Sequence, residues 1–156
     1  MPKIVKFIIS LGTPLLIGVV GGIFTSSSVQ TWYREISKPS FTPPSWVFGP
    51  AWTLLYILMG ISFYLVWVKN FGGRAQFILP LYAGQLLLNL LWSLFFFGLK
   101  NPLLGLVDIV FLWLLILLNV YNFWKVSLVS GVLLIPYLMW VTFATALNAG
   151  VVLLNK

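Results

Sequence analysis

Gln85, Asn89, Trp92 and Ser93 stand at offsets 0, 4, 7 and 8 and so share one face of a helix. Tyr137, Trp140, Ala144 and Asn148 repeat the pattern at 0, 3, 7 and 11, with the small Ala144 leaving room beside Trp140. Trp52, Tyr56, Met59 and Phe63 do so at 0, 4, 7 and 11. Each face joins an aromatic ring to a small or hydrogen-bonding neighbour. Indole faces can stack on an extended planar ligand, gaining roughly 0.5–1.5 kcal/mol per ring pair beyond burial, while amides orient it. The same side chains could instead bond between helices, at about 1 kcal/mol each. One stripe alone favours packing; three together put a binding pocket on an equal footing.

Other chemistry is excluded by composition. The chain has no cysteine and no histidine, which removes disulfides, thiolate nucleophiles, imidazole bases and the usual zinc ligands. No nucleophile–base pair or metal site is legible, so hydrolysis and group transfer are not expected and no cofactor is required. Asp108 is the one acid within an apolar run, and a carboxylate there is a functional candidate by default. It lies six residues beyond Pro102, near enough to the interface to reach water, and shares a face with Asn119. A structural hydrogen bond and a role in ion or proton transfer are both open to it.

These residues must be positioned by elements suited to lipid. Of 156 residues, 61% are hydrophobic and 7% charged, and the mean hydropathy is +1.06. That is too little polar surface for a water-facing globule, for which about 25% charged is usual. Five apolar runs reach the roughly 20 residues that cross a bilayer: about 4–24, 46–68, 76–97, 103–123 and 128–153. The reading is an all-α integral membrane protein, a single domain spanning 1–156, folded as a compact bundle of five transmembrane helices. Short connectors after the second, third and fourth spans force antiparallel neighbours. The net charge of +7 sits mostly between the runs, where it meets headgroups of the bilayer or an anionic ligand rather than nucleic acid. Lys3, Lys6, Lys69, Arg74 and Lys125 fall on one side, against Arg34, Lys38, Lys100 and Lys156 on the other, which leans toward a cytoplasmic N-terminus. Gly18 and Gly22 form a GxxxG that could join helices within the bundle or between subunits.

The first connector, about 25–45, differs in kind. Pro39, Pro43 and Pro44 fix their own φ and hold their predecessors extended, so Lys38–Ser45 is a stiff, ordered loop. A short helix is expected over Thr31–Ser37, presenting Trp32 and Tyr33 on the membrane surface. Pro50 suits the first turn of the second span, and Trp32, Trp46 and Trp124 read as interfacial anchors. With Trp32, Tyr33, Phe41 and Trp46 to bury, the loop reads as a lid over the open end of the bundle, or simply as its cover.

The stretches WYREISKPSFTPPSWVFGPAWTLLY, QLLLNLLWSLFFFGLKNP and IPYLMWVTFATALN, in their five-span order, resemble the TspO/MBR family of tryptophan-rich sensory and translocator proteins. The resemblance implies a five-helix fold whose first loop closes over a pocket for protoporphyrin IX and drug-like aromatic ligands, often in a homodimer. Carried over by residue, it implies pocket roles for Trp52, Gln85, Asn89, Trp113, Trp140 and Ala144, beside Tyr56, Trp92 and Tyr137 from the stripes. Arg34 and Lys38 on the lid are the nearest cations for ligand carboxylates. Three functions follow as expectations: a porphyrin receptor linked to tetrapyrrole handling and stress sensing, a light-dependent porphyrin-degrading activity with Trp52 and Trp140 as redox partners, or a porphyrin transporter. Ala149 stands where vertebrate members carry a sterol-associated Tyr, which speaks against sterol recognition and for a prokaryotic cell membrane.

Overall fold

The computed structural model describes residues 1–156 and contains no strand. Its long helices are α1 (Lys3–Val29), α3 (Phe48–Val68), α4 (Ala75–Ser93), α5 (Pro102–Val126) and α6 (Leu128–Leu154), with a one-turn α2 (Trp32–Glu35) in the first connector. Helices are the economical solution in hydrocarbon because every backbone N–H and C=O is satisfied within the segment. Five segments are long and apolar enough to cross a membrane, and α1, α3, α6, α5 and α4 pack in that order around a ring that closes back on α1.

The boundaries differ from the hydropathy reading in instructive ways. The first helix continues past Phe24 to Val29 because Thr25, Ser26 and Ser27 turn their hydroxyls back onto carbonyls of their own helix, at 3.2, 3.2 and 2.8 Å. Polar residues therefore extend the helix beyond its apolar band. At the far end of α4 the chain widens into a π turn over Leu94–Gly98, and Leu99 N–H reaches back to Leu94 O at 2.7 Å. The extra residue per turn rotates Phe96 and Phe97 inward, where both are buried. The start of α5 is set by Asn101, whose side chain accepts from Leu104 N at 3.0 Å, followed by Pro102 at the first helical position.

Close approaches fix the helix pairs. A side chain at Gly60 would strike the α1 backbone at Leu11 and Ser10, so α1 and α3 meet there. One at Gly18 would overlap the Tyr56 ring, whereas Gly22 faces open space; Gly18 thus serves packing within the bundle. Away from the lid, the core is closed by an aromatic stack in which Phe63 and Tyr82 lie 4.2 Å apart at 18° and Phe123 packs 6.0 Å from Tyr82.

Candidate ligand site

Across the middle of the bundle, three helices are tied by one chain of hydrogen bonds. Tyr56 OH on α3 donates to Asn89 Oδ1 on α4 at 2.8 Å, Asn89 Nδ2 donates to Tyr137 OH on α6 at 2.8 Å, and Tyr137 OH donates to Gln85 Oε1 at 2.8 Å. All four side chains are buried. Gln85 Nε2 has only the Met59 sulfur, at 3.5 Å. The stripes thus converge as their spacing predicts, but their polar atoms are spent on one another. Gln85 and Asn89 form the platform beneath the site rather than donors free to orient a ligand.

Above the platform lies a narrow cleft, open on one side, with about 30 Å³ of free volume. Its roof is Tyr33 and Thr42 of the first connector, and its walls include Phe48 of α3, Trp92 of α4, and Phe96 and Phe97 of the π turn. The α6 wall is Ala144, Leu147, Asn148 and Val151. The polar contact built into this wall is Trp92 Nε1 donating to Asn148 Oδ1 at 3.0 Å, with Asn148 Nδ2 held by Pro102 O at 2.7 Å. Ala144 leaves room where a larger residue would meet the facing rings. A largely aromatic cleft with one oriented amide is the composition expected of a site for a flat, mostly apolar molecule.

Trp52 and Trp140, for which the resemblance implies pocket roles, stand one layer back. Trp52 stacks on Tyr56 at 5.7 Å and 27° and lies 6.3 Å from Trp92, its neighbour on the cleft. Trp140 packs 6.0 Å from Phe48 and 5.6 Å from Phe143, and its buried indole N–H has no partner. Trp113 is not part of the cleft. It sits about 100° around α5 from Leu112, which is in the core, and its N–H donates to Thr142 on the exposed side of α6 at 2.7 Å. Asp108 is buried rather than reaching water: it is 5% exposed, and its Oδ2 has no hydrogen-bond partner. Asn119 Nδ2 bonds to Leu81 O at 3.2 Å.

The lid is ordered and fastened at several points. Tyr33, expected at the membrane surface, points into the bundle instead. It is 7% exposed and packs against Phe48, Phe96 and Phe97 at 6.4, 6.2 and 5.5 Å, and this burial raises its phenol above the ordinary pKa. Trp32 packs on Phe96 at 5.6 Å. Lys38 Nζ donates to the carbonyls of Tyr33, Ile36 and Arg34 at 2.7, 2.9 and 3.4 Å and lies 4.9 Å from the Tyr33 ring. Its charge therefore caps α2, leaving Arg34 as the exposed cation of the lid. The Pro39 ring fills the space beside Gly150, where a Cβ would overlap it, and Phe41 lies 6.2 Å from Phe143. Pro43 and Pro44 lead into a 3₁₀ turn over Ser45–Val47, at which Trp46 is 74% exposed, as an interfacial anchor should be.

Asn155 carries no motif, yet it clasps the lid. Its Oδ1 accepts from Ser37 N at 3.0 Å and its Nδ2 donates to Ser37 O at 2.8 Å. Tyr33, Phe96, Phe97 and Asn155 lie outside the three stripes. Asn148 lies within one, as the last member of the α6 face.

Fold and cleft together define an integral, multi-pass membrane protein with a lidded aromatic site. Residues 10–154 match the TspO/MBR family, and the chain belongs to it. It is 49% identical over 153 residues to a tryptophan-rich protein TspO of Archaeoglobus fulgidus, covering 98% of this chain and 99% of that one. Against the TspO of Chlorobaculum tepidum it is 42% identical, covering 98% of each. The human translocator protein is 41% identical over 83% of this chain and 78% of its own length.

Proposed function

We propose that this protein is a membrane receptor for planar polycyclic aromatic molecules, protoporphyrin IX and related tetrapyrroles first among them, with a role in tetrapyrrole handling and stress sensing. The observation that carries the reading is the cleft under the lid, walled by Phe48, Trp92, Phe96 and Phe97 and leaving space beside Ala144. With the lid down its free volume is about 30 Å³, far below the roughly 300–1,000 Å³ usual for ligand sites, so the cleft is in a closed state. That is room for about one water molecule, so a planar aromatic, and a substituted tetrapyrrole above all, enters by lifting the lid. Arg34 is then the cation placed to meet its carboxylates. A lid that moves with occupancy alters the exposed surface around Trp46, which suits a sensor. The 49% identity to the archaeal relative, above the 41% to the human one, supports a prokaryotic cell membrane, and the resemblance supports a homodimer.

The test is a titration of intrinsic tryptophan fluorescence with protoporphyrin IX, comparing the protein with Ala144→Phe. The reading requires saturable quenching whose midpoint Ala144→Phe shifts to at least about 10-fold higher ligand concentration while thermal unfolding in detergent stays cooperative. Equal quenching in both proteins removes it.

A second reading, light-driven degradation of the bound porphyrin, draws on one contact. Trp52 lies 6.3 Å from Trp92 on the cleft wall, so the hole left when Trp92 passes an electron to an excited macrocycle can move to a neighbouring indole, while dioxygen, the oxidant the reaction consumes, attacks the reduced macrocycle. Porphyrin absorption bleaching under light at the same rate with Trp52→Phe and Trp92→Phe combined discards this reading.

A further inference from the structure

The end of the bundle away from the lid carries Lys3, Lys6, Lys69, Arg74 and Lys125 and no acid, since the two acids of the chain are Glu35 on the lid and Asp108 in the lid half of α5. Most of these cations sit at helix ends, where any anchoring lysine would sit. Arg74 is held differently. Its Nε and Nη2 both donate to Asn122 Oδ1, at 3.2 and 2.9 Å. Asn122 is 6% exposed, and its own amide is fixed by Leu118 O at 2.8 Å. A carboxylate in that position would neutralise the guanidinium; an amide orients it and leaves its charge uncompensated. Three of the five guanidinium donors remain free.

A second cation converges on the same place. Arg74 lies 6.0 Å from the ring of Tyr121 and Lys125 Nζ lies 5.4 Å from it, while Arg74 also covers Phe77 at 5.7 Å. Tyr121 is 56% and Phe77 51% exposed. Along α5, toward the middle of the membrane, the exposed surface continues as Leu118, Leu117 and Leu114. Two unneutralised cations at the interface thus stand above an apolar helix face, beside aromatic rings of the kind found at headgroup depth.

The geometry points to a binding site for one anionic phospholipid at the α4–α5 edge, its phosphate held by Arg74 and Lys125 and an acyl chain lying along α5. Arg74 is the bidentate phosphate donor, Lys125 the mobile point charge, and Asn122 a positioning residue. This site is at the opposite end from the cleft and stands independently of what the cleft binds.

The experiment is native mass spectrometry of the purified protein released from mixed micelles holding equimolar phosphatidylglycerol and phosphatidylcholine. The wild-type chain should retain phosphatidylglycerol by about 30-fold over phosphatidylcholine, each interfacial cation supplying roughly 5-fold. Lys125→Gln should lower that preference by about 5-fold, and Arg74→Gln with Lys125→Gln should abolish it. Asn122→Ala keeps the net charge and should still lose preference, which a simple charge effect would not do. Thermal unfolding of each variant confirms that it is folded, and Lys125→Gln, on an exposed side chain, carries the test if Asn122→Ala is unstable. Equal retention of the two lipids by wild type, or an equal loss in a Lys100→Gln and Lys156→Gln control at the lid end, overturns the proposal. So does displacement of the lipid by inorganic phosphate at matching concentration, which would mark a free-anion site.

Discussion

The two ends of this bundle are built from the same aromatic residues and use them in opposite ways. Away from the lid, Phe63 and Tyr82 stack at 4.2 Å, and Phe71 and Phe123 lie within 6.4 Å of Phe63. Rings meeting rings at such spacing leave little empty space, and the connector there, 70–73, is a tight left-handed turn of four consecutive positive-φ residues ending in Gly72 and Gly73. Toward the lid, Trp92, Phe96 and Phe97 line the cleft with the small Ala144 and with Asn148, which Trp92 bonds directly, and the connector is a proline-stiffened cover fastened to α6. Aromatic content therefore does not define a site. What does is a small residue opposite the rings and a cover that need not be part of the core.

That contrast can be broken deliberately. The largest effect is expected from Phe63→Ala, which removes the centre of the closed end and should cost about 3–5 kcal/mol. It should show as a large fall in unfolding temperature in detergent with little change in porphyrin affinity of the folded fraction. Ala144→Phe should act the other way. Ala144 is buried, so overfilling its place should cost typically ~1–3 kcal/mol of stability, less than Phe63→Ala, while weakening binding by about 10- to 100-fold. Tyr56→Phe deletes one donor of the shared platform and leaves Asn89 Oδ1 unpaired, so it should lower stability by about 1–3 kcal/mol and affect both ends. Asn155→Ala should have the smallest effect. It releases the Ser37 clasp, worth roughly 1 kcal/mol, and should speed ligand association and dissociation a few-fold in stopped-flow quenching while leaving the melt nearly unchanged.

How far the sequence revealed this contrast depended on periodicity. The five helices were legible because apolar runs of about 20 residues have few alternatives, and the Tyr56–Asn89–Tyr137–Gln85 platform because offsets of 4 and 7 place side chains on one face. Trp113 shows the limit. Its depth along α5 could be counted, but its side of the helix depended on which face α6 covered. Phe96 and Phe97 reach the cleft only through the π turn, which no hydrophobic period announces. Tyr33 lies in a four-residue helix too short to show a face, and Asn155 acts through two backbone atoms of Ser37, a contact without any spacing rule. The lid's stiffness could be read from its prolines. Its fastening could not, because the Pro39–Gly150 contact joins residues distant in sequence.

The central claim is that ligand sits under the lid at the α4–α6 walls and not among the rings of the closed end. Photolabelling with a flat aromatic diazirine probe, followed by peptide mapping, tests it most directly. The expected adducts fall on the segments 33–48, 92–97 and 144–151, are suppressed by excess protoporphyrin IX, and fall sharply in Ala144→Phe. Adducts concentrated around Phe63, Tyr82 and Phe123, or spread over the lipid-facing side of α5 without competition, would contradict the account.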